Sequence, residues 1–347
     1  MRPLFTPFRV AVLLALAWIG LISRAPSVNA PFRVRLGAAF VARGPGTDLD
    51  TIAFRESRDP ARTLMFVTAQ GNDLVEAWRF DAGGQPHLDF TLGVSASEGC
   101  LSGPEVNGVV VDARADRLYV TVSAPSNRVC VFSVSDSGAR FVKRLEVGRN
   151  LGQEPNLGLL HLPTGRTRLY VSADTRILPF DVTDLDDVRP KPEFRTSTGI
   201  ETLAGDDVHQ RLYVPDEKGG TGVYVYDPEG RPPSGFERFG QGVFAADAEG
   251  ILVYPCRAAD GTDGGEGFVV VSDQTDPVNQ YEFFDRASGR FLGTLEIADT
   301  NHTDGIASTQ QAFPAYPAGL FVAVDDDRAT VGVGWAEVLA ATGLACR

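Results

Sequence analysis

The sequence predicts an all-β protein folded as a six-bladed β-propeller, and two observations support this prediction. One short apolar strand pattern recurs six times, with starts 53, 51, 43, 57 and 51 residues apart. A second strand, ending in an aromatic residue, follows each of the first five copies, and no long helical period appears after residue 31. Repeats of this length, built from β-branched and aromatic strands, are typical of propellers whose blades each have four strands.

The repeated strand keeps the same order of residue types along the chain. Its six copies are residues 65–68, 118–121, 169–172, 212–215, 269–272 and 320–323. The strands that follow the first five copies end at Phe80, Phe132, Phe180, Tyr226 and Phe284. A β-sandwich or a pair of domains would leave this repetition without a cause, so we expect six copies to form six blades.

We expect a single domain over residues 34–347, preceded by a targeting segment at residues 1–30. Two arginines flank the start of an apolar run at residues 10–22, and residues 28–30 offer a small-residue cleavage site. The run is shorter than the ~20 residues that a membrane-spanning helix needs. These features predict a secreted or periplasmic protein. Pro31 is unfavourable directly after a cleavage site, so an uncleaved anchor is the alternative.

The chain has four cysteines, and an even number in an exported protein predicts two disulfides. Three pairings are possible. Proximity in sequence favours Cys100 with Cys130, which leaves Cys256 with Cys346 to tie down the C-terminal tail. Four buried thiols are the alternative. A Cys-x-x-Cys motif is absent from the sequence, which disfavours a zinc site.

Composition and motifs exclude several classes of function. The formal net charge is −13, which makes nucleic acid a poor partner. An acidic protein that handles an anionic substrate needs cations, and bound Ca²⁺ would supply them. The sequence has no Gly-x-Ser-x-Gly elbow and no glycine-rich phosphate loop, and its four histidines are too dispersed for a metal triad.

Acidic and amide side chains follow the predicted strands at positions where a hydrophobic core needs none. They are Asp50, Glu201, Glu217, Asp247, Glu249, Gln274, Asp304 and Asp325. Strand ends that face the central channel of a propeller bring distant residues together, so we expect these oxygen donors to cluster there. Ca²⁺ prefers several oxygen ligands of mixed type. A solvated turn residue is the alternative for any one of these acids.

Several stretches of the C-terminal half resemble the β-propeller phytases, and the likeness is strongest over residues 199–326. These stretches are Asp247-Ala248-Glu249-Gly250, Ser272-Asp273-Gln274, Thr303-Asp304-Gly305-Ile306 and Phe313-Pro314 with Gly319-Leu320-Phe321-Val322. Glu201 and Glu217 keep the sixteen-residue spacing of two family glutamates. Upstream, residues 50–54 with residues 59–61 resemble the opening of the family's domain.

The resemblance implies a calcium-dependent phosphomonoesterase that acts on phytate, myo-inositol hexakisphosphate. It implies that seven of the residues named above bind Ca²⁺, all except Asp50, with Glu217 and Asp247 holding the metals. Asp50, in the upstream stretch, is a further candidate ligand. Glu201 or Asp304 would accept a proton from the attacking water, so that no covalent enzyme intermediate forms. The implied partner is a small phosphorylated substrate. We expect a monomer, without a membrane partner unless the N-terminal segment is retained.

The phosphate-binding side of the resemblance is incomplete. Family lysines in the first and third blades are replaced by residues 68–70 and 172–174, and residues 106–111 lack the family's arginine. Each lost charge-assisted hydrogen bond would remove ~1.5–3 kcal/mol of binding. Arg128 and Arg176 are candidate phosphate ligands in their place, with surface arginines as the alternative.

The missing cations keep a second function open, a non-catalytic calcium-stabilised propeller that binds a ligand or partner. A lactonase-type or dehydrogenase-type propeller fits the architecture but has no motif of its own in this sequence.

Overall fold

Six β-sheets surround a central channel in the described part of the chain, and each sheet forms one blade. The structure, a computed structural model, describes residues 30–346 except positions 104, 198, 218–221 and 299. The predicted targeting segment up to residue 29 lies outside the described residues. No helix within them has the length and hydropathy to cross a membrane.

The first three blades follow one another along the chain. The first consists of β3 (Leu49–Arg55), β4 (Leu64–Ala69), β5 (Leu74–Phe80) and β6 (Pro86–Leu92). The second consists of β7 (Val106–Asp112), β8 (Arg117–Val122), β9 (Arg128–Ser135) and β10 (Gly138–Glu146). The third consists of β11 (Leu157–His161), β12 (Thr167–Ala173) and β13 (Arg176–Asp181), with β14 (Arg189–Pro190) and β15 (Phe194–Arg195) both paired to β13.

The other three blades complete the ring, and the last two also take N-terminal strands. The fourth consists of β16 (Ala204–Asp206), β17 (Arg211–Pro215), β18 (Val223–Tyr226) and β19 (Arg238–Phe239). The fifth consists of β20 (Ala248–Arg257), β21 (Asp263–Asp273), β22 (Gln280–Asp285), β23 (Phe291–Ile297) and β1 (Phe32–Leu36). The sixth consists of β24 (Ile306–Thr309), β25 (Leu320–Asp325), β26 (Ala329–Gly334) and β2 (Phe40–Ala42).

Short helical segments accompany the strands. A helix, α1 (Trp335–Thr342), follows the last strand, and 3-10 turns lie at Pro60–Arg62, Gln70–Asn72 and Leu185–Asp187.

The predicted repeat is confirmed at the level of the blade. The six repeated strands are β4, β8, β12, β17, β21 and β25, each of them next to the innermost strand of its blade. The five aromatic-ended strands are the third strands of their blades. Six clusters of buried apolar side chains fill the junctions between neighbouring blades, so the repeated strand is buried on both faces.

The sixth copy of the repeat begins one residue later than the sequence predicts. Ala323 pairs with Ile306 as Val67 pairs with Ile52 in the first blade. The equivalent stretch is therefore 321–324 rather than 320–323. A shift of one residue turns every side chain of a strand to the opposite face. The residue types of the sixth copy are compatible with both registers, so the sequence alone does not distinguish them.

The N-terminal strands close the ring. β2 pairs antiparallel with β26 and supplies the outer strand of the sixth blade. β1 pairs parallel with β23 at the outer edge of the fifth blade. Backbone hydrogen bonds therefore join the two N-terminal strands, β1 and β2, to the last two blades.

Both predicted disulfides form. The Sγ atoms of Cys100 and Cys130 are 2.09 Å apart, and those of Cys256 and Cys346 are 2.06 Å apart. The first bond crosses from the loop before the second blade to β9. The second bond ties the segment after α1 to β20.

Candidate metal centre

One position at the start of the innermost strand carries a polar side chain in five of the six blades. The strand registers define this position. Five residues of the innermost strands pair with equivalent positions of the repeated strand, and the position in question lies two residues before each of them. The five are Ile52, Val109, Leu157, Ile251 and Ile306. In the fourth blade, Gly205 pairs with Leu212 as Leu159 pairs with Leu169 in the third. The residues at this position, in blade order, are Asp50, Asn107, Pro155, Glu201, Glu249 and Asp304. We call it the ring position.

The side chains around the ring position enclose a cavity of about 380 Å³ at this end of the channel. Eight carboxylates, three amides and one histidine line this acidic cavity. They are Asp48, Asp50, Gln70, Glu105, Glu154, Asn156, Glu201, Glu249, Gln274, His302, Asp304 and Asp327. Within the described residues, its wall contains no lysine or arginine.

Five of the predicted metal ligands meet in the acidic cavity although they come from four blades. They are Asp50, Glu201, Glu249, Gln274 and Asp304. Hydrogen bonds hold them against one another: Gln274 Nε2 donates to Glu249 Oε2 at 2.5 Å and to Asp304 Oδ1 at 2.6 Å. On the other side, Gln70 Nε2 donates to Asp50 Oδ2 at 3.0 Å.

Three other predicted ligands do not line the cavity. The charge of Glu217 raises the pKa of Glu201, so the two carboxylates are near one another. Asp247 is exposed, and its backbone carbonyl accepts a hydrogen bond from the Gln274 amide at 3.0 Å. The carboxylate of Asp325 accepts a hydrogen bond from the Asn301 amide at 3.1 Å.

The two predicted phosphate ligands also lie outside the cavity wall. Arg128 begins β9 and Arg176 begins β13, so both stand at the cavity end of third strands. The Arg128 guanidinium donates to the Ser102 carbonyl and to Ser126 Oγ.

Crowded carboxylates in a buried site hold protons more strongly than they do in water. Burial raises the pKa of Asp50 to about 6, although hydrogen bonds from Gln70 and Thr51 oppose the shift. Burial, followed by repulsion from Glu217, raises the pKa of Glu201. Burial and repulsion between neighbouring carboxylates also raise the pKa of Glu249 and of Asp304. A cation among these groups would offset the repulsion that adds to the effect of burial.

The donor atoms of the cavity fit a hard cation, although the carboxylates contact one another instead of surrounding a central point. No three histidine, cysteine, aspartate or glutamate side chains in the described ranges form a ready metal-binding group. Asn107 at the ring position is fully buried, and neither atom of its amide has a hydrogen-bond partner within the described residues. It lies close enough to lower the pKa of Asp50. Carboxylate and amide oxygens in this mixture suit Ca²⁺.

Sequence reasoning missed several residues of the site. These are Gln70, Glu105, Asn107, Glu154, Asn156, His302 and Asp327. Aligning the innermost strands blade by blade would have shown Asn107, because it stands at the ring position. The repeat also gives a register for Gln70, which stands two residues after Thr68 as Gln274 stands two after Ser272, and for Asn156, which follows the ring position. The others lie on loops.

Comparisons with known proteins bear on the family pattern and on the fold. The phytase family model matches residues 184–336, a stretch that contains Glu201, Glu249, Gln274 and Asp304. A solved structure of hydrazine synthase from Kuenenia stuttgartiensis is similar, with a TM-score of 0.50 and 15% identity over 81% of this chain and 75% of that chain. At this identity the likeness concerns the fold alone. Over residues 184–336 this chain therefore carries the sequence pattern of the phytase family, within a six-bladed β-propeller.

Proposed function

We propose that the protein is an exported, calcium-dependent phosphomonoesterase of the phytase type. The acidic cavity is the observation that supports this most directly, because it gathers oxygen donors from most blades and five of them, including Asp327, lie in the family match. Its substrate would be a small phosphorylated molecule such as phytate. The two disulfides suit an exported protein.

Asp50, Glu201, Glu249, Gln274 and Asp304 would hold Ca²⁺ in the cavity. Glu217, Asp247 and Asp325 are the further ligands that the family resemblance suggests, and Asn107 is one that the ring position adds. Bound calcium would supply positive charge for the phosphate oxygens and would lower the pKa of an attacking water.

An acidic side chain of the cavity would accept the proton of that water. Glu201 and Asp304 are the two carboxylates of the cavity wall that would accept it. Gln274 holds the Asp304 carboxylate in place through its amide hydrogen bond. The chain would bind and orient the substrate without forming a covalent bond to it.

The phosphate-binding side chains give a reason to keep a second candidate function. The described wall of the cavity has no lysine or arginine, so Arg128 and Arg176 at the cavity end of β9 and β13 are the proposed phosphate ligands. A propeller that binds calcium and then a ligand or partner, without hydrolysis, would need no such ligands. The wall composition favours that second candidate.

Phosphate release from phytate by the purified protein tests the first candidate. We expect release with Ca²⁺ and none after chelation, and Glu201→Gln should lower the rate by roughly 100-fold or more. Glu337→Gln, which changes an exposed acid on α1, should leave the rate unchanged. Calcium binding without release from phytate or simpler phosphomonoesters would contradict the enzyme and support the binding protein.

A further inference from the structure

Four buried hydroxyl groups recur at the last position of the repeated strand. They belong to Thr68, Thr121, Ser172 and Ser272, and each of these residues is 0% exposed. Each hydroxyl faces the start of an innermost strand, next to the ring position. We call these four side chains the hydroxyl set.

Two members of the set bind only the innermost strand of their own blade. The Thr51 amide donates to Thr68 Oγ1 at 2.9 Å, directly after Asp50. The Asn156 amide donates to Ser172 Oγ at 2.6 Å, and the Asn156 side chain lines the acidic cavity.

The other two members reach the neighbouring blade. Thr121 Oγ1 accepts from the Gly108 amide at 2.7 Å and donates to the Pro155 carbonyl at 2.6 Å. Pro155 lies between Glu154 and Asn156, which both line the cavity.

Ser272 makes the corresponding contact between the fifth and sixth blades. Ser272 Oγ donates to the Thr303 carbonyl at 3.1 Å, in the peptide group that leads to Asp304. The hydroxyl therefore holds the backbone from which a cavity carboxylate projects.

The two blades without a member of the set have a hydroxyl on the opposite strand instead. Pro215 and Val324 occupy the position in the fourth and sixth blades. There, Thr202 Oγ1 donates to the Glu249 carbonyl, and Thr303 Oγ1 donates to the Val324 carbonyl at 2.8 Å. These two blades therefore also have a hydroxyl hydrogen bond next to the ring position, although a different residue supplies it.

We propose that the hydroxyl set positions the backbone of the ring so that its carboxylates converge on a cation. The inference rests on the proposed calcium binding at the acidic cavity. Every hydrogen bond of the set reaches a residue that lines the cavity or directly adjoins either a lining residue or the ring position. The four side chains touch no ligand themselves and are positioning residues. Outer partners of this kind commonly change metal affinity by roughly 10–100-fold.

Thr121→Val tests the proposal, because it removes both hydrogen bonds and nearly preserves the shape of the side chain. The measurement is calorimetric titration of the chelator-treated full chain with Ca²⁺. We expect the affinity of Thr121→Val to fall roughly 10-fold, and Thr121→Ser to restore it. Thr330→Val is the matched control: Thr330 is 1% exposed on β26, and its hydroxyl has no hydrogen-bond partner among the described residues.

The outcomes separate this proposal from the one on which it rests. A wild-type protein that binds no calcium overturns both. A Thr121→Val protein that melts earlier but binds calcium as tightly as wild type overturns the positioning role and leaves the calcium site standing. If Thr121→Val does not fold, Ser172→Ala is measured instead, and unchanged affinity there overturns the proposal.

Discussion

At the scale of single residues, His161 links three blades at the end of the channel away from the acidic cavity. Its Nδ1 lies 2.7 Å from Asp207 Oδ2, and its Nε2 lies 2.9 Å from Asp112 Oδ1. Burial alone would lower the pKa of this imidazole. The hydrogen bonds to both carboxylates outweigh burial and raise the pKa to about 9.

The raised pKa predicts how stability changes with pH. The folded pKa lies above the unfolded value of about 6.5, so the contribution of His161 is complete below pH 6.5 and is lost as the pH rises through 9. We expect the free energy of unfolding in urea to fall by up to ~3 kcal/mol over that window. His161→Gln should remove this part of the fall, and His87→Gln should keep it, since His87 is exposed. An unchanged fall in His161→Gln would contradict the assignment.

At the scale of elements, the N-terminal strand β2 completes the sixth blade. Phe40 packs into the junction of the sixth and first blades, where its ring lies 5.9 Å from that of Phe80. Gly332 on β26 lies directly beneath the ring, and a Cβ atom there would stand 2.3 Å from it. The close approach of the two strands therefore requires glycine at this position.

Truncation of Phe40 measures what this closure contributes. Phe40→Ala should lower the free energy of unfolding by ~3–5 kcal/mol, because a fully packed aromatic side chain is lost. Val41→Ala changes the neighbouring residue on the exposed face of the same strand, where the side chain is 50% exposed, and should change stability little. Equal effects of the two substitutions, measured by urea unfolding, would show that β2 does not close the ring.

At the scale of the whole molecule, the protein has a formal net charge of −13, and its cavity is itself lined by carboxylates. The carboxylates repel one another when no cation is bound, so binding should stabilise the fold. This makes thermal stability a measure of calcium binding that does not depend on catalysis.

Calcium should therefore raise the melting temperature. At a hundredfold excess over the dissociation constant the stabilisation is ~2.7 kcal/mol, which corresponds to roughly 4 °C for a domain of this length. Glu249→Gln should remove most of the shift, and Glu337→Gln should keep it. Alanine at Glu217 and at Asp247 tests the two ligands that the resemblance assigns. A melting temperature indifferent to calcium would leave the acids as turn residues.

The sequence by itself determined the architecture, because each blade repeats one strand pattern whose burial on both faces demands the same residue types. Proximity in sequence also sufficed for both disulfides. Four acids that line the cavity were visible for a similar reason, because a carboxylate at the end of an apolar strand has no place in a core. They are Asp50, Glu201, Glu249 and Asp304.

The tertiary structure alone decided the rest. The register of β25 depends on which face of this strand packs against the first blade. The residue types at positions 320–324 are compatible with either register. Asn107 became a site residue only when pairing with β8 placed it level with Asp50. Glu105, Glu154 and Asp327 reach the cavity from loops, whose course depends on ring closure. A local pattern can identify a strand, but which strands share one level of the channel depends on contacts between blades far apart in sequence.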